Sequence, residues 1–301
     1  MAAIEVKNLS KSYDNIKVVN NISFSVEAGT VFGFLGPNGA GKTTTLEMIE
    51  GLRKVDSGEI FIDGLDVSKD LKKIQSIIGV QLQSVTLDER MRVREALELF
   101  ATFYPSSANI DYLLELANLT DRANQFQKDL SGGQKQRLNM ALCLVNDPKI
   151  VFLDEPTTGL DPQARRNLWD IIIKLKEMGK TVILTTHYMD EAEKLCDFIS
   201  IIDHGSIIKE GTPDELIAGL GAGRIIELPC EEAQQAEIKK IKTANKIEFQ
   251  SGFAEIQTDQ LTDTLKEILQ LDSSFDVDTL HIRKATLEDV FIDLTGRSLR
   301  E

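Results

Sequence analysis

The chain has 301 residues, and its 42% apolar content is enough to fill about two domain cores, which excludes a fully disordered protein. Asp and Glu outnumber Lys and Arg by 48 to 34, and the net charge of −14 disfavours a nucleic-acid partner, which requires a basic surface. No apolar run approaches the roughly 18 residues that cross a bilayer, and no secretory signal pattern is present. We therefore expect a soluble, cytoplasmic chain whose three cysteines stay reduced.

The N-terminal part is predicted to be an α/β domain. Alternation of apolar and polar residues predicts antiparallel strands at 4–6 and 22–26. The run Val31–Leu35 is almost entirely apolar, which is typical of a strand buried on both faces of a parallel sheet. Similar runs recur at 150–153, 182–184 and 199–202, and helical patterns lie at 43–49, 93–103, 110–117, 134–145, 164–178 and 189–195. Strands and helices in alternation indicate a layered α/β domain.

A glycine-rich stretch at 211–223 has the composition of a linker, and we expect two domains, residues 1–220 and residues 221–301. Beyond the linker, the pattern predicts strand 225–228, helix 231–242, strands 246–250 and 253–257, helix 261–271, strand 277–283 and a last helix at 287–294. This βαββαβ order predicts a small α+β domain of the ferredoxin-like, split βαβ type.

The segment after the buried strand matches a phosphate-binding loop. Residues 36–43 fit G-x-x-x-x-G-K-[ST], with a strand before and a helix after the motif. Glycines permit positive φ, so backbone N–H groups can surround a phosphate while the helix presents its positive end to it. Lys42 would reach the β- and γ-phosphates, and Thr43 would ligate Mg²⁺. The predicted nucleotide-binding residues here are Gly36, Pro37, Asn38, Gly39, Ala40, Gly41, Lys42, Thr43 and Thr44.

A later buried strand ends in two adjacent carboxylates, Asp154 and Glu155. Because side chains alternate along a strand, the two must point differently. Asp154 is suited to hold Mg²⁺, and Glu155 is suited to act as the general base toward an attacking water. An acidic pair at a strand end is usually only a solvated terminus. The partnership with Lys42 and Thr43 favours the functional interpretation.

The segment 130–134 spells Leu-Ser-Gly-Gly-Gln, the signature of ATP-binding cassette proteins. Other landmarks of that family follow in the expected order, namely Tyr13 ahead of the loop, Gln83, the Gly-Leu-Asp turn at 159–161 and His187 after a strand. Residues 1–215 therefore resemble an ATP-binding cassette. The resemblance implies a P-loop fold with a mixed sheet and a helical subdomain, which binds ATP with Mg²⁺ and hydrolyses the ATP.

The resemblance assigns a role to each landmark. Tyr13 would stack on adenine, with a purely structural strand-edge tyrosine as the alternative. Gln83 would touch Mg²⁺ or the attacking water and sense a membrane partner, and its distance from Gly79 favours it over Gln81. His187 would orient the γ-phosphate and water, a structural histidine being the alternative. The implied catalytic residues are Glu155, His187 and Gln83, and the implied metal ligands are Thr43, Gln83 and Asp154.

The signature also begins a helix, whose positive end attracts an anion. The family resemblance implies that Ser131, Gly132, Gly133 and Gln134 bind the γ-phosphate of ATP held by another subunit, while Ser131 serves as the N-cap as well. Asp161 would contact the opposite subunit's site. Two ATP molecules would then join two cassettes head to tail, and we expect a homodimer.

Three classes of cassette protein compete, namely a transporter ATPase subunit, a DNA-repair or chromosome ATPase and a translation-type protein, and a GTP-binding switch is a further alternative. A DNA-repair or chromosome ATPase would place a long coiled coil between its two motifs, but residues 43–153 contain no heptad run. A translation-type protein would carry two cassettes and a basic linker. A GTP-binding switch would carry N-K-x-D, whereas 245–248 is Asn-Lys-Ile-Glu. The favoured class is the ATPase subunit of a membrane transporter, peripheral on the cytoplasmic face of the membrane through a separate permease.

The C-terminal segment 286–296 looks like that of ATPase subunits from bacterial exporters of drugs, antibiotics, polysaccharides or sodium. Export is therefore expected rather than import, and the permease chooses the cargo. We expect the last helix to offer an apolar assembly or regulatory surface, with Phe291 at its centre. The alternative is plain packing, because Leu287, Val290, Phe291 and Leu294 follow helical spacing.

Overall fold

The computed structural model describes residues 2–81, 88–221, 223–250, 252–271 and 279–296. The chain forms two compact units, Met1–Glu210 and Gly211–Glu301. This division falls ahead of the 220/221 boundary expected from composition. The reason is that the helix Pro213–Ala218 packs against the helix Leu287–Thr295, which belongs to the second unit.

The first unit alternates strands with helices. Its strands are β1 (Ala2–Tyr13), β2 (Ile16–Glu27), β3 (Val31–Leu35), β4 (Ser57–Ile62), β5 (Leu65–Asp66), β6 (Ile78–Gln81), β7 (Ile150–Asp154), β8 (Thr181–Thr186), β9 (Phe198–Asp203) and β10 (Ser206–Gly211), which ends at the boundary. Its α-helices are α1 (Lys42–Ile49), α2 (Leu71–Gln75), α3 (Val93–Ala101), α4 (Ile110–Leu116), α5 (Gly132–Cys143), α6 (Pro162–Glu177) and α7 (Met189–Leu195).

Two sheets build this unit. One has the strand order β10-β9-β3-β8-β7-β6, and its strands β9, β3, β8, β7 and β6 pair in parallel. The other is antiparallel, with the order β2-β1-β4-β5. Apolar side chains from both sheets and from α1 form one core, in which Phe24 and Phe32 stack with 5.4 Å between ring centroids. This arrangement confirms the predicted mixed α/β class.

The sequence prediction missed β4, β5, β6 and β10, which are short or weakly patterned. In β4, for example, only Ile60 and Ile62 are buried, and the strand begins with exposed residues. The remaining helical layer consists of α3, α4 and α5, which pack on one another. The apolar faces of these helices bury Leu97, Leu114 and Leu138, as expected of a helical subdomain.

The second unit contains α8 (Pro213–Ala218), β11 (Arg224–Pro229), α9 (Gln235–Ile238), β12 (Lys246–Gln250), β13 (Phe253–Thr258), α10 (Leu261–Gln270), β14 (His281–Lys284) and α11 (Leu287–Thr295). Its sheet has the order β12-β13-β11-β14 with antiparallel pairing throughout. One face of this sheet is apolar and buries Ile226 and Ile256 together with Ile238 and Ile268 of the helices.

Two expectations for this unit are wrong. The helix predicted at 231–242 is reduced to a 3-10 turn, Glu232–Gln234, followed by α9. It ends early because the Ile241 N–H bonds to the carbonyl three residues back and the Lys242 N–H donates to Glu267 Oε2 at 2.6 Å. Phe291 offers no surface, because it is fully buried in α11. The alternative interpretation of α11 as a packing helix is confirmed for Leu287, Val290 and Phe291, whereas Leu294 is 39% exposed.

The buried carboxyl of Glu50 predicts a pH-dependent stability of the first unit. Glu50 ends α1 at 3% exposure, and burial, with further contributions from Asp154 and Glu47, raises its pKa from 4.5 to about 8. Between those values the folded chain holds a proton that the unfolded chain has lost. The free energy of unfolding therefore falls as the pH rises through this window, by up to about 1.4 kcal/mol per unit.

We expect Glu50→Gln to remove this slope. The free energy of unfolding of the variant should equal that of the parent near pH 4.5 and should be a few kcal/mol larger near pH 8. Urea unfolding followed by the fluorescence of the one tryptophan, Trp169, measures the difference. The exposed Glu59→Gln is the control and should keep the parent's pH profile. Parallel profiles for Glu50→Gln and the parent would contradict the assignment.

Candidate nucleotide-binding site

Three neighbouring strands, β3, β8 and β7, bring the predicted site residues together. Their parallel pairing places all three carboxyl ends at one edge of the sheet. The loop 36–41 follows β3, Asp154 ends β7 with Glu155 directly after it, and His187 follows β8. Residues that lie far apart in the sequence therefore meet at this edge.

The loop 36–41 requires glycine where the backbone turns most tightly. Gly41 has φ of +99°, and a Cβ there would lie 2.4 Å from the Val18 carbonyl oxygen. A Cβ on Gly36 would lie 2.2 Å from the Ile202 carbonyl oxygen. Helix α1 begins directly after Gly41, so its first N–H groups are close to the loop. The loop thus has the form of a backbone anion site at a helix N-terminus.

Lys42 is the buried cation of the site. Its side chain is 4% exposed, and Nζ donates to the carbonyl oxygens of Gly36 at 2.8 Å and Pro37 at 3.0 Å. Nζ also lies 3.4 Å from Glu155 Oε1. Burial lowers the pKa of Lys42, and the charges of Glu155 and Asp154 oppose that shift. The loop therefore holds the ammonium where a phosphate oxygen could replace Glu155 as its counter-charge.

Asp154 lies beside the start of α1 and fits a Mg²⁺ ligand. Thr43 Oγ1 donates to its two carboxylate oxygens at 3.1 and 3.0 Å, and Thr185 Oγ1 donates to Oδ1 at 2.5 Å. Burial raises the pKa of Asp154, so a divalent cation would favour its charged form. Hydroxyl and carboxylate oxygens suit Mg²⁺, which takes its other ligands from phosphates and water. Thr43 and Asp154 are the residues that would hold the ion.

Glu155 has a φ of +46°, a left-handed conformation that costs a residue other than glycine about 1–3 kcal/mol. Its N–H donates to Thr185 Oγ1 at 2.9 Å, which stabilises the turn. The carboxylate lies between Lys42 and His187, with Oε2 3.3 Å from His187 Nδ1. Thr158 Oγ1 donates to the same Oε2 at 3.1 Å. This turn directs the carboxylate toward Lys42 and His187.

For the other residues that are predicted to act on the ATP of their own subunit, the structure gives less information. Tyr13 ends β1, is 37% exposed, and its hydroxyl accepts a hydrogen bond from Arg53 Nη1 at 2.5 Å, so adenine stacking stays a prediction. Gln83 lies outside the described residues. The alternative, Gln81, ends β6 at 1% exposure, and neither atom of its amide has a hydrogen-bond partner in the described part of the chain.

The signature forms the first turn of α5. Ser131 is its N-cap, and Oγ accepts from the Gln134 N–H at 3.3 Å while Gln134 Oε1 accepts from the Ser131 N–H at 2.8 Å. Asp161 caps α6 in the same way, accepting from Gln163 N–H at 3.0 Å and Ala164 N–H at 2.9 Å. Capping of a helix is a purely structural role that would explain both motifs. Their contacts with the ATP site of another subunit stay predictions.

The two capped helices lie close together. A Cβ on Gly133 would come within 2.8 Å of Ala164 Cβ, so glycine permits this approach of α5 to α6. Around them is an open cavity of about 550 Å³. It is lined by both motifs, namely Ser131, Gly132, Gly133, Gln134, Arg137, Gly159, Leu160, Asp161, Gln163, Ala164 and Asn167.

Sequence reasoning missed Thr185, Thr158 and Gln136. Thr185 binds both Asp154 and the Glu155 N–H, and Gln136 Nε2 donates to the carbonyl of Pro156 at 2.7 Å, which ties α5 to the turn after Glu155. A polar residue near the end of a buried strand was the available signal for Thr185. No sequence signal indicated Thr158 or Gln136.

The fold and this site define a P-loop ATPase of the cassette type. The family model described as ABC transporter matches residues 19–158. Nod factor export ATP-binding protein I of Burkholderia orbicola is 41% identical over 309 residues, covering 100% of this chain and 99% of that protein. The protein of that name from Rhizobium meliloti is 41% identical over 304 residues, covering 99% and 90%.

Among solved structures, a dimeric post-hydrolysis ATP-binding cassette bound to ADP and Pi is similar to this chain with a TM-score of 0.63 and 30% identity, over 69% of this chain and 98% of that one. The chain therefore belongs to the ABC transporter family, as an ATP-binding and ATP-hydrolysing subunit. Within the described residues, no helix has the length and apolar character that a membrane span needs.

We expect Lys42→Ala to weaken nucleotide binding about 10- to 100-fold and to remove activity with it, because the charge contact to the phosphates is lost. Fluorescent ATP titration and phosphate release measure the two effects. Lys72→Ala, an exposed lysine on α2, is the control and should behave as the parent. Parent-level hydrolysis by Lys42→Ala would show that the loop assignment is wrong.

We expect Glu155→Gln to keep ATP binding but to lower turnover about 10²–10⁴-fold, because a neutral amide cannot accept the proton of water. Steady-state ATPase assays and equilibrium titration separate the two quantities. The exposed Glu177→Gln, at the end of α6, is the matched control. Retained turnover would exclude Glu155 as the base.

Proposed function

We propose that this chain works as a homodimer with two ATP molecules held between its subunits, and that it drives export through a separate membrane-spanning permease. The observation that carries the dimer is the cavity shared by the signature and the 159–161 turn. It is a second anion-attracting surface, lined by residues other than the phosphate loop 36–43. A subunit that already holds ATP in its own loop uses this surface for the ATP of another subunit.

Within one subunit, hydrolysis uses the charges around Lys42. In the protein alone, Lys42 and Glu155 neutralise each other at 3.4 Å. When ATP binds, its phosphates replace Glu155 as the counter-charge of Lys42. Glu155 is then free to accept a proton from the water that attacks the γ-phosphorus. His187, beside the other carboxylate oxygen, positions this base. Thr43 and Asp154 would hold Mg²⁺, which when bound would neutralise phosphate charge.

Between subunits, the starts of α5 and α6 act together. Two adjacent helix N-termini concentrate backbone N–H groups and partial positive charge, which favours a phosphate. Ser131 Oγ and the Gly132 and Gly133 amides bind this phosphate in the proposed dimer. Asp161, exposed at the edge of the same cavity, contacts the opposite subunit. The solved cassette dimer with ADP and Pi supports this pairing by its similarity to this chain.

A groove beside β6 and α3 is the proposed permease contact. It is a cavity of about 400 Å³ whose lining includes Leu52, Phe103, Glu50 and Gln81. Phe103 is 68% and Leu52 58% exposed, which suits an apolar partner segment. The amide of Gln81, which has no hydrogen-bond partner among the described residues, suits a hydrogen-bonding group on that segment. Through this contact the chain is held at the cytoplasmic face of the membrane. The names of the relatives, which specify export, support the direction.

The second unit is proposed to be a ferredoxin-like accessory domain, and residues 221–301 its main part. The strand order β12-β13-β11-β14 with antiparallel pairing supports this assignment. None of the predicted nucleotide chemistry lies in it, so we assign it to assembly or regulation.

A bulky charge at Ser131 tests the trans role. We expect Ser131→Arg to leave ATP binding to the isolated subunit unchanged and to lower ATPase activity about 100-fold or more, because the partner's γ-phosphate loses its site. With Glu155→Gln as background, gel filtration in Mg-ATP should show a dimer that Ser131→Arg abolishes.

Thr212→Arg is the matched control for this experiment. Thr212 is the N-cap of α8 and forms the same kind of capping box as Ser131. The control variant therefore loses an equivalent helix cap at a place outside the cavity. The control should keep ATPase activity. If Ser131→Arg abolished ATP binding in the monomer, or left hydrolysis intact, the trans assignment would be overturned.

A further inference from the structure

A row of three glutamates crosses the polar face of the second unit's sheet. Glu255 on β13 is paired directly with Glu227 on β11 and with Glu248 on β12. Directly opposite residues on neighbouring strands point to the same face, and like charges in this relation destabilise a sheet. The row therefore costs stability unless another group supplies positive charge.

The protein's own cations offset this row only partly. Arg283 on β14 bonds to Glu227 at 2.6 Å and to both oxygens of Asp289 at 2.7 and 2.9 Å. Lys246 on β12 bonds to Asp293 at 2.7 Å and lies 3.1 Å from Glu248. Each cation thus serves two carboxylates. Among the described residues, no ion pair reaches Glu255 or Glu288, which leaves an excess of negative charge.

A cavity of about 340 Å³ lies between this face and α11. It is lined by Lys246, Glu248, Glu255, Gln257, Arg283, Thr286, Glu288, Asp289, Ile292 and Asp293. Gln257 lies two residues after Glu255 on the same face and is only 6% exposed. Within the described residues its side-chain amide has no hydrogen-bond partner. Because Gln257 lines the cavity, its amide can form hydrogen bonds with a polar group bound there.

We propose that this cavity binds an organic cation, a guanidinium or ammonium group carried by a molecule of the size of a diamine or small polyamine. The N–H groups of the cation donate to the Glu255 carboxylate and to the side-chain amide oxygen of Gln257. The charge of the cation neutralises the glutamate row. The volume is at the lower end of the range for small-molecule sites and exceeds that of a bare ion. Ile292 gives one apolar surface for the methylene groups between the charges.

Isothermal titration of the full chain with agmatine, spermidine, Mg²⁺ and the neutral butylurea tests the proposal. The parent should bind agmatine or spermidine and should ignore butylurea. Glu255→Gln should weaken this binding about tenfold or more, and Gln257→Met should weaken it severalfold. The exposed Glu232→Gln, in the same unit, should bind as the parent does.

Thermal unfolding without ligand provides an independent check on folding. Glu255→Gln removes repulsion within the row, so its Tm should equal or exceed that of the parent, and lost binding cannot then be attributed to misfolding. The proposal is overturned if neither amine binds at millimolar concentration, if Glu255→Gln binds as well as the parent, or if Mg²⁺ alone competes fully with agmatine.

Discussion

The burial of Lys42 beside Glu155 and Asp154 is the interaction on which the nucleotide site depends. An unpaired ammonium at 4% exposure would cost several kcal/mol, so the carboxylates must stay close to it. That requirement constrains the sheet, because β3 and β7 must both flank β8 for the loop and the carboxylates to meet. It also accounts for the strained φ of Glu155, since an extended backbone would direct this carboxylate elsewhere.

The same charges make the site responsive to nucleotide. Lys42 is held by hydrogen bonds from its Nζ to two carbonyl oxygens of the loop. Glu155 has no such fixed anchor in the loop, and its other contacts are Thr158 and His187. An anion that replaced Glu155 at Lys42 would therefore change the environment of this carboxylate.

The sequence predicted the parts of the site that depend on local patterns. The glycine spacing around Lys42 and the carboxylates after a buried apolar run indicated both the loop and the sheet edge. The left-handed turn at Glu155 was not predictable, because it depends on the Thr185 hydroxyl supplied by another strand. The helix predicted at 231–242 failed for a similar reason, since Glu267 on a distant helix captures the Lys242 N–H. Periodicity records the local preference, and tertiary hydrogen bonds overrule it.

A common physical feature links the two units. In each, carboxylates are gathered where the protein's own cations do not balance them: Asp154 and Glu155 around one lysine, and the Glu227, Glu255 and Glu248 row around Arg283 and Lys246. Such an imbalance lowers stability in the free protein and is relieved by a positively charged ligand. In the first unit, Mg²⁺ accompanying ATP would be such a ligand. By the same reasoning, the unbalanced row in the second unit would be stabilised by the organic cation proposed for the cavity beside it.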